Sequence, residues 1–434
     1  MRTLHLSLAL VLIAAPAGAA RAPDTGGTVA VHAAEVDADA LSSALTSAPL
    51  LEPSSLRLGP VEAAAWPALS TGQRSRFLTD LAPEADGAVW VLTPAPRIGS
   101  ESLSDSIRGC LAGWPGEALA AAEVDVRFDV TSSGVRVGLT APVPAFPLLL
   151  EGCPGPAGAF APDGDDRWLH RADAPGGRPY LDGVALVGSA ARADLDLSPV
   201  STAGEQLVAP WPDVWFLVPD EAARAADPWT LAADGGVARF HGDLAADLIL
   251  AVRRGGRGAS TRVLLPPGVA PDRPLSPAPT GDSPPLTLRP LPAGSPRLAL
   301  LRSTADELTA DLEARLALLL RARGWGVGDA GADTPTARIV QWRPPTADPG
   351  LATLLLAAEF GFPLTPRDTG GLLAADPADR ASTALTVEQR WLDAGRAVPL
   401  LTAARTITVN PSLRGVRIRG DGLPVLDDAW WVDP

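Results

Sequence analysis

Residues 298–342 read LALLRSTADELTADLEARLALLLRARGWGVGDAGADTPTARIVQW. Leu298 to Leu301 is a short apolar run of the length a buried strand takes. Thr304 then stands three residues before Glu307, the capping-box spacing that opens a helix. Leu308, Leu312, Leu316 and Leu319 recur at helical spacing and form one apolar stripe. Gly324 falls where a helix C-cap is expected, and Arg338 to Trp342 reads as a second strand. A strand, a helix and a second strand in this order point to an α/β unit with at least some parallel pairing.

The same alternation runs along the rest of the chain. TVAVH at 28–32, AVWVL at 88–92, VDVRFDV at 124–130 and VRVGL at 135–139 read as strands, with Thr131 to Gly134 as the turn of a hairpin. GVALV at 183–187 is a further strand. Residues 266–296, rich in Pro, Ser and Gly, read as a long surface loop within the later α/β unit, because the pattern resumes beyond them. The length, 434 residues, suggests two or three domains. Hydrophobic residues make up 46%, enough for a sizeable core, and the 45 prolines and 42 glycines imply many turns between short elements.

Charge excludes whole classes of function. The net charge of −14 disfavours nucleic-acid binding, which needs a basic face to neutralise phosphate. All 36 basic residues are arginines, so no lysine is present for a Schiff base, a pyridoxal-phosphate anchor or a P-loop. No GxSxG elbow occurs. Gly326, Gly328 and Gly331 satisfy GxGxxG but follow a helix instead of opening one, so they read as a loop. Asp163, Asp165 and Asp166 lack the twelve-residue spacing of a calcium loop and read as a solvated turn. His32, His170 and His241 hold no metal-ligand spacing and read as structural or surface residues. The sequence therefore predicts no enzyme, no cofactor and no metal site.

Residues 1–20 predict a secretory signal peptide: Arg2, an apolar run from Leu6 to Ala15, then small residues. The run is too short to span a membrane, and no Cys near the cleavage site suggests a lipid anchor. The mature protein is thus expected outside the cytoplasm and without a membrane anchor. In an oxidising compartment Cys110 and Cys153 can form a disulfide closing a loop worth roughly 3.5–4 kcal/mol; two separate buried thiols are the other reading.

Several motifs, in order, resemble the family 5 extracellular solute-binding proteins of ABC importers. The sharpest is GGRPYLDGV from Gly176, which runs on as DGVALVGSAARADLDLSPV from Asp182 to Val200; GPAGAF at 155–160 and GGTVA at 26–30 lie upstream. QWRPPTADP at 341–349, VPLL at 398–401 and LRGVRIRGDGLPVLDDAWW at 413–431 lie downstream. The resemblance implies a two-lobed, type II-like periplasmic-binding-protein fold of the α/β class, with a hinge and a discontinuous first lobe. Lobe I would comprise 23–215 plus 398–434, and lobe II, trimmed relative to the family, 216–397.

It implies a monomeric periplasmic component that captures a peptide-like or other small solute between the lobes and delivers it to an ABC permease in the inner membrane. The alternative is a degenerate relative that no longer transports and serves as a periplasmic sensor or protein-interaction module. The expected ligand-binding residues are Trp342, which would stack on the ligand, Arg343, which would meet a carboxylate or phosphate, and Trp215 with Phe216 as walls. The chain departs from the family pattern where peptide-binding members carry an Asp three residues after the Trp, for the ligand ammonium: here Arg343, Pro344 and Pro345 follow Trp342.

Overall fold

A computed structural model describes residues 27–33, 41–42, 48–52, 66–156, 160–164, 166–170, 181–197, 205–226, 258–261, 263–270, 295–301, 307–322, 324–328, 334–420, 422–426 and 429–432. The expected signal peptide, Thr304 of the capping box, Gly176 to Tyr180, His241, Gly331 and most of the 266–296 loop lie outside the described residues.

Three larger sheets organise most of these residues, beside two two-stranded sheets, β18 (Leu413–Arg414) with β21 (Trp430–Trp431) and β19 (Arg417–Ile418) with β20 (Pro424–Val425). The first contains β1 (Thr28–His32), β6 (Phe160–Pro162), β7 (Arg167–His170), β8 (Gly183–Leu186), β9 (Leu195–Asp196), β10 (Glu205–Val208) and β17 (Thr406–Val409), in the order β10-β17-β9-β1-β8-β7-β6. β1 pairs in parallel with β8 and β9, and the other pairings are antiparallel. Val29 and Val31 are fully buried while their neighbours are not, as the alternation in TVAVH predicts.

The second sheet is an antiparallel meander of β2 (Leu78–Glu84), β3 (Val89–Pro94), β5 (Gly134–Leu139) and β4 (Val126–Thr131). Thr131 pairs directly with Gly134, so Ser132 and Ser133 form the two-residue turn of the expected hairpin. Helices α1 (Ser100–Cys110), α2 (Trp114–Ala121) and α3 (Phe146–Leu150) accompany it. Cys110 at the end of α1 is disulfide-bonded to Cys153 just past α3, with Cα atoms 5.1 Å apart. The open choice between a bridge and separate thiols resolves to the bridge.

The third sheet contains β11 (Asp213–Pro219), β12 (Gly258–Ser260), β13 (Arg297–Leu301), β14 (Gly326–Gly328), β15 (Thr336–Trp342) and β16 (Val398–Ala403), in the order β12-β16-β11-β15-β13-β14. β13 pairs in parallel with both β14 and β15, as the strand–helix–strand reading requires. Two helices flank it, α4 (Glu221–Ala226) and α5 (Glu307–Ala322). Leu312, Leu316 and Leu320 of α5 are fully buried against Leu298, Ile339 and Trp215. α5 closes as a Schellman motif: Gly324 has φ +89°, its N–H donates to Arg321 O, and Trp325 N–H donates to Leu320 O. One expectation fails here. Gly326 and Gly328 form strand β14 instead of a loop, because Val327 and its flanking glycines pair with Arg297 to Ala299.

The opposite face of this sheet is covered by α6 (Pro349–Phe360), α7 (Pro366–Leu372) and α8 (Pro377–Asp393). Asp348 caps α6 by accepting from Leu351 N–H at 3.0 Å, Pro349 begins the helix, and Gly361 ends it at φ +64°. Asp348 also holds the guanidinium of Arg380, Nε to Oδ2 2.9 Å, with both side chains buried. Gly350 through Ala357 are all buried, because α6 lies between the third sheet and α2 of the second-sheet unit. One apolar cluster thus runs from Leu92, Val137 and Phe146 through Leu119 and α6 to Phe216 and Trp342. The first sheet has a separate core around Val31, Trp168, Val184 and Ile407.

Chain passes between the first and third sheets at 209–212 and again at 404–405. The boundaries expected at 215/216 and 397/398 fall at strands that belong wholly to the third sheet. No described helix is long and apolar enough to cross a membrane.

Reducing the disulfide, or substituting Cys110→Ser with Cys153→Ser, is expected to lower unfolding free energy by about 4 kcal/mol, the chain-entropy cost for a loop of this size. Urea midpoints with and without reductant measure it. Asp220 supplies a pH test. Burial opposes its ionisation, but bonds from Ala223 N–H and from the Thr336 hydroxyl and N–H outweigh it and hold the carboxyl below its usual value. A depressed folded-state pKa means this stabilisation is full above the unfolded-state value and is lost as pH falls through the folded one. Asp220→Asn should therefore flatten the loss of stability below about pH 4 in acid titrations followed by circular dichroism.

Candidate ligand site at the sheet crossovers

Strand direction locates the site. β9 runs antiparallel to β17, with Asp196 opposite Thr408, so β9, its parallel neighbour β1 and β8 beyond β1 advance toward the crossover that precedes Thr406. In the third sheet Trp342 at the end of β15 lies opposite Val214, just after the other crossover. β13 and β14, parallel to β15, point the same way. Both sheets thus aim the carboxyl ends of their parallel strands at the crossovers, the edge where open α/β sheets hold ligands.

The two crossings are tied together. Ala209 N–H donates to Arg405 O at 2.9 Å. Trp211 is buried, and its indole N–H donates to Pro344 O at 2.7 Å. Gly420 lets the Trp211 ring lie against the chain: a Cβ there would stand 1.9 Å from Trp211 Cζ2. Beside it sits a charged cluster. The buried carboxylate of Asp213 accepts on Oδ2 from Gln341 Nε2 at 2.8 Å, Arg405 Nη2 at 3.0 Å and Arg343 Nε at 3.1 Å. On the first sheet His32 Nδ1 and buried Asp196 Oδ1 are 3.0 Å apart, at the carboxyl ends of β1 and β9.

The four residues expected to bind ligand do not converge. Phe216 is fully buried and meets Phe360 edge-on at 5.1 Å between ring centres. Trp342 is 3% exposed and belongs to the same core as Phe216. Trp215 faces the other side of the sheet, where its indole N–H donates to Thr309 Oγ1 at 3.1 Å. In this conformation the three aromatics are packing residues, since truncating any of them would leave a cavity in a closed core. Only Arg343 is open, with 44% of its side chain exposed. Sequence reading missed Asp213, Arg405 and the His32–Asp196 pair. Asp213 opens the apolar run DVWFLVP, the one local hint available; its two arginines lie 130 and 192 residues away. Among the described residues no group of three His, Cys, Asp or Glu side chains could hold a metal ion.

No family model matches the sequence, and no curated protein is significantly similar to it. Solved structures do match, over nearly the whole chain. The periplasmic protein DppA of Helicobacter pylori, in complex with the peptide STSA, aligns at TM-score 0.61 over 94% of this chain and 99% of that one. The chain has the periplasmic-binding-protein fold. AppA of Bacillus subtilis, bound to a nonapeptide, aligns at 0.59 over 95% of this chain and 100% of its own. A substrate-binding protein of Microbacterium hydrocarbonoxydans, complexed with 4-hydroxybenzoate hydrazide, aligns at 0.56 over 94% and 100%. Identities to the three are 12%, 10% and 13%, so what is shared with them is this two-lobed architecture.

The Asp213 cluster makes an asymmetric prediction. Asp213→Ala removes a buried carboxylate that accepts from Gln341, Arg405 and Arg343, and should cost about 3 kcal/mol or more. Arg343→Ala removes a half-exposed partner and should cost under about 1 kcal/mol. Denaturant midpoints of the two variants check the difference.

Proposed function

We propose that the protein is the substrate-binding component of an ABC-type importer, capturing a peptide-like or other small solute between two lobes for delivery to an inner-membrane permease. The observation that carries this reading is the end-to-end match in fold to proteins solved with peptides bound. The placement of both sets of parallel strand ends at the crossovers supports it. One lobe would be built on the first sheet with the C-terminal tail, the other on the third sheet, and residues 209–212 and 404–405 would form the hinge. Hinge closure about two such passages is an established way to enclose a ligand. Arg343, open at this edge, is the strongest of the expected ligand contacts; Trp342, Trp215 and Phe216 would contribute by fixing the strand ends beneath it.

The remaining expectations follow from this role: export through the 1–20 signal, a periplasmic location without a lipid anchor, a monomer, no nucleic acid and no catalytic step. Native mass spectrometry of the mature protein, purified from periplasm without refolding, should show a bound small molecule whose mass names its class. An empty protein with no thermal shift across peptide, sugar and metal-complex libraries would overturn the reading.

A further inference from the structure

We propose that two copies of this chain associate through β4, edge to edge and antiparallel, extending the second sheet across a two-fold axis at Phe128. The contact uses no residue of the crossovers and does not rest on the solute-binding reading. β2 and β4 are the two edges of the second sheet, and they differ. β2 carries Pro83 and a register shift between Leu78 and Asp80, two features that spoil an edge for pairing. β4 has neither: its pairing with β5 runs unbroken from Val126 to Thr131, and Arg127, Asp129, Val130 and Thr131 are exposed. Thr140 N–H donates to Asp125 O, and hydrogen-bonded pairs alternate along an antiparallel ladder, so Arg127, Asp129 and Thr131 bond to β5. Val126, Phe128 and Val130 therefore turn their N–H and C=O groups outward, where no described residue takes them.

The strand is complementary to itself. VRFDV at 126–130 reads valine, cation, phenylalanine, anion, valine, so reversing it keeps the apolar order and exchanges the charges. In an antiparallel pair centred on Phe128, Val126 faces the second copy's Val130, and the two Phe128 residues face each other. Those are the residues with outward backbone groups, so this register pairs all of them. Arg127 then faces the second copy's Asp129, and Asp129 its Arg127. These are the non-hydrogen-bonded positions, where opposed side chains stand closest, with Cβ atoms about 4.5–5.5 Å apart. Both charges are unspent within one chain. Asp129 lies opposite Arg136 in the β4–β5 ladder, but Arg136 forks onto Glu84, Nη2 to Oε2 2.5 Å and Nη1 to Oε1 3.3 Å. Arg127 lies opposite Gly138, and neither Arg127 nor Asp129 has a side-chain partner among the described residues. Sliding the pair by two residues either way sets Arg127 against Arg127 or Asp129 against Asp129, so charge selects the centred register. A contact this short buries little area, so the pair forms at high concentration, and the single chain expected for transport is the dilute form.

The test is sedimentation equilibrium of the mature full chain at low salt, from about 1 μM to about 1 mM. The weight-average mass should climb from one chain toward two. Arg127→Asp should weaken association tenfold or more, because like charges then face each other on both sides of the axis. Asp129→Arg should do the same. An equimolar mixture of these two variants should associate again, since every facing pair in the mixed dimer is of opposite sign. That rescue would not follow if either change had merely harmed the fold. Val130→Pro removes one outward N–H and leaves the bonds to β5 intact, so it should abolish association at an unchanged melting temperature. A chain that stays single at every concentration would leave this edge to another partner and overturn the proposal. Association that survives the charge reversals or Val130→Pro would use a different surface and overturn it equally, as would failure of the mixture to associate.

Discussion

The Asp213–Arg405 pair joins the two places where the chain passes between the first and third sheets. Asp213 opens β11 just after one passage, and Arg405 lies within the other, with the Ala209 to Arg405 backbone bond between them. A buried carboxylate is stable only if its charge and lone pairs are met, so this contact fixes how the two strands leave one sheet and enter the next. The direction of β11 sets that of β15 beside it, and β15 sets β13 and β14. Reversing any one of them would turn the strand ends away from the crossovers.

Much of the fold was legible because it rests on local physics. Alternation in TVAVH gave β1, the short turn after Thr131 gave a hairpin, and leucine spacing with Gly324 gave α5 and its end. β14 was missed because two glycines around one valine carry no strand propensity of their own; the strand exists through pairing with β13. The packing of Trp342, Trp215 and Phe216 was not legible for a different reason. DVWFLVP is apolar on both faces, and nothing in such a run separates a residue that lines a crevice from one that fills a core. Arg343 was legible as a cation out of place. Its partners were not, since charges that meet across 130 and 192 residues leave no spacing to read.

Among the described residues the second-sheet unit shares its core with the third sheet and not with the first. α2 lies on α6, and Leu119, Leu354 and Phe216 belong to one continuous apolar cluster. Interfaces that are large and apolar move as one piece, whereas polar and charged ones permit sliding. α2 against α6 is thus the stiff part of the molecule, while the crossovers are tied by the Asp213 cluster and by the hydrogen bonds of Ala209 and Trp211.

The bridge between Cys110 and Cys153 bears on the order in which the chain matures. It lies entirely within a segment complete by residue 153, while α6, which covers the flank of that segment, begins at Pro349. A chain emerging from its N-terminus presents the second-sheet unit with Leu119 and its neighbours uncovered until nearly two hundred further residues have followed. Apolar surface exposed for that interval invites misassembly. A covalent link closed in that interval would hold the end of α1 beside the end of α3 before α6 is available to cover them.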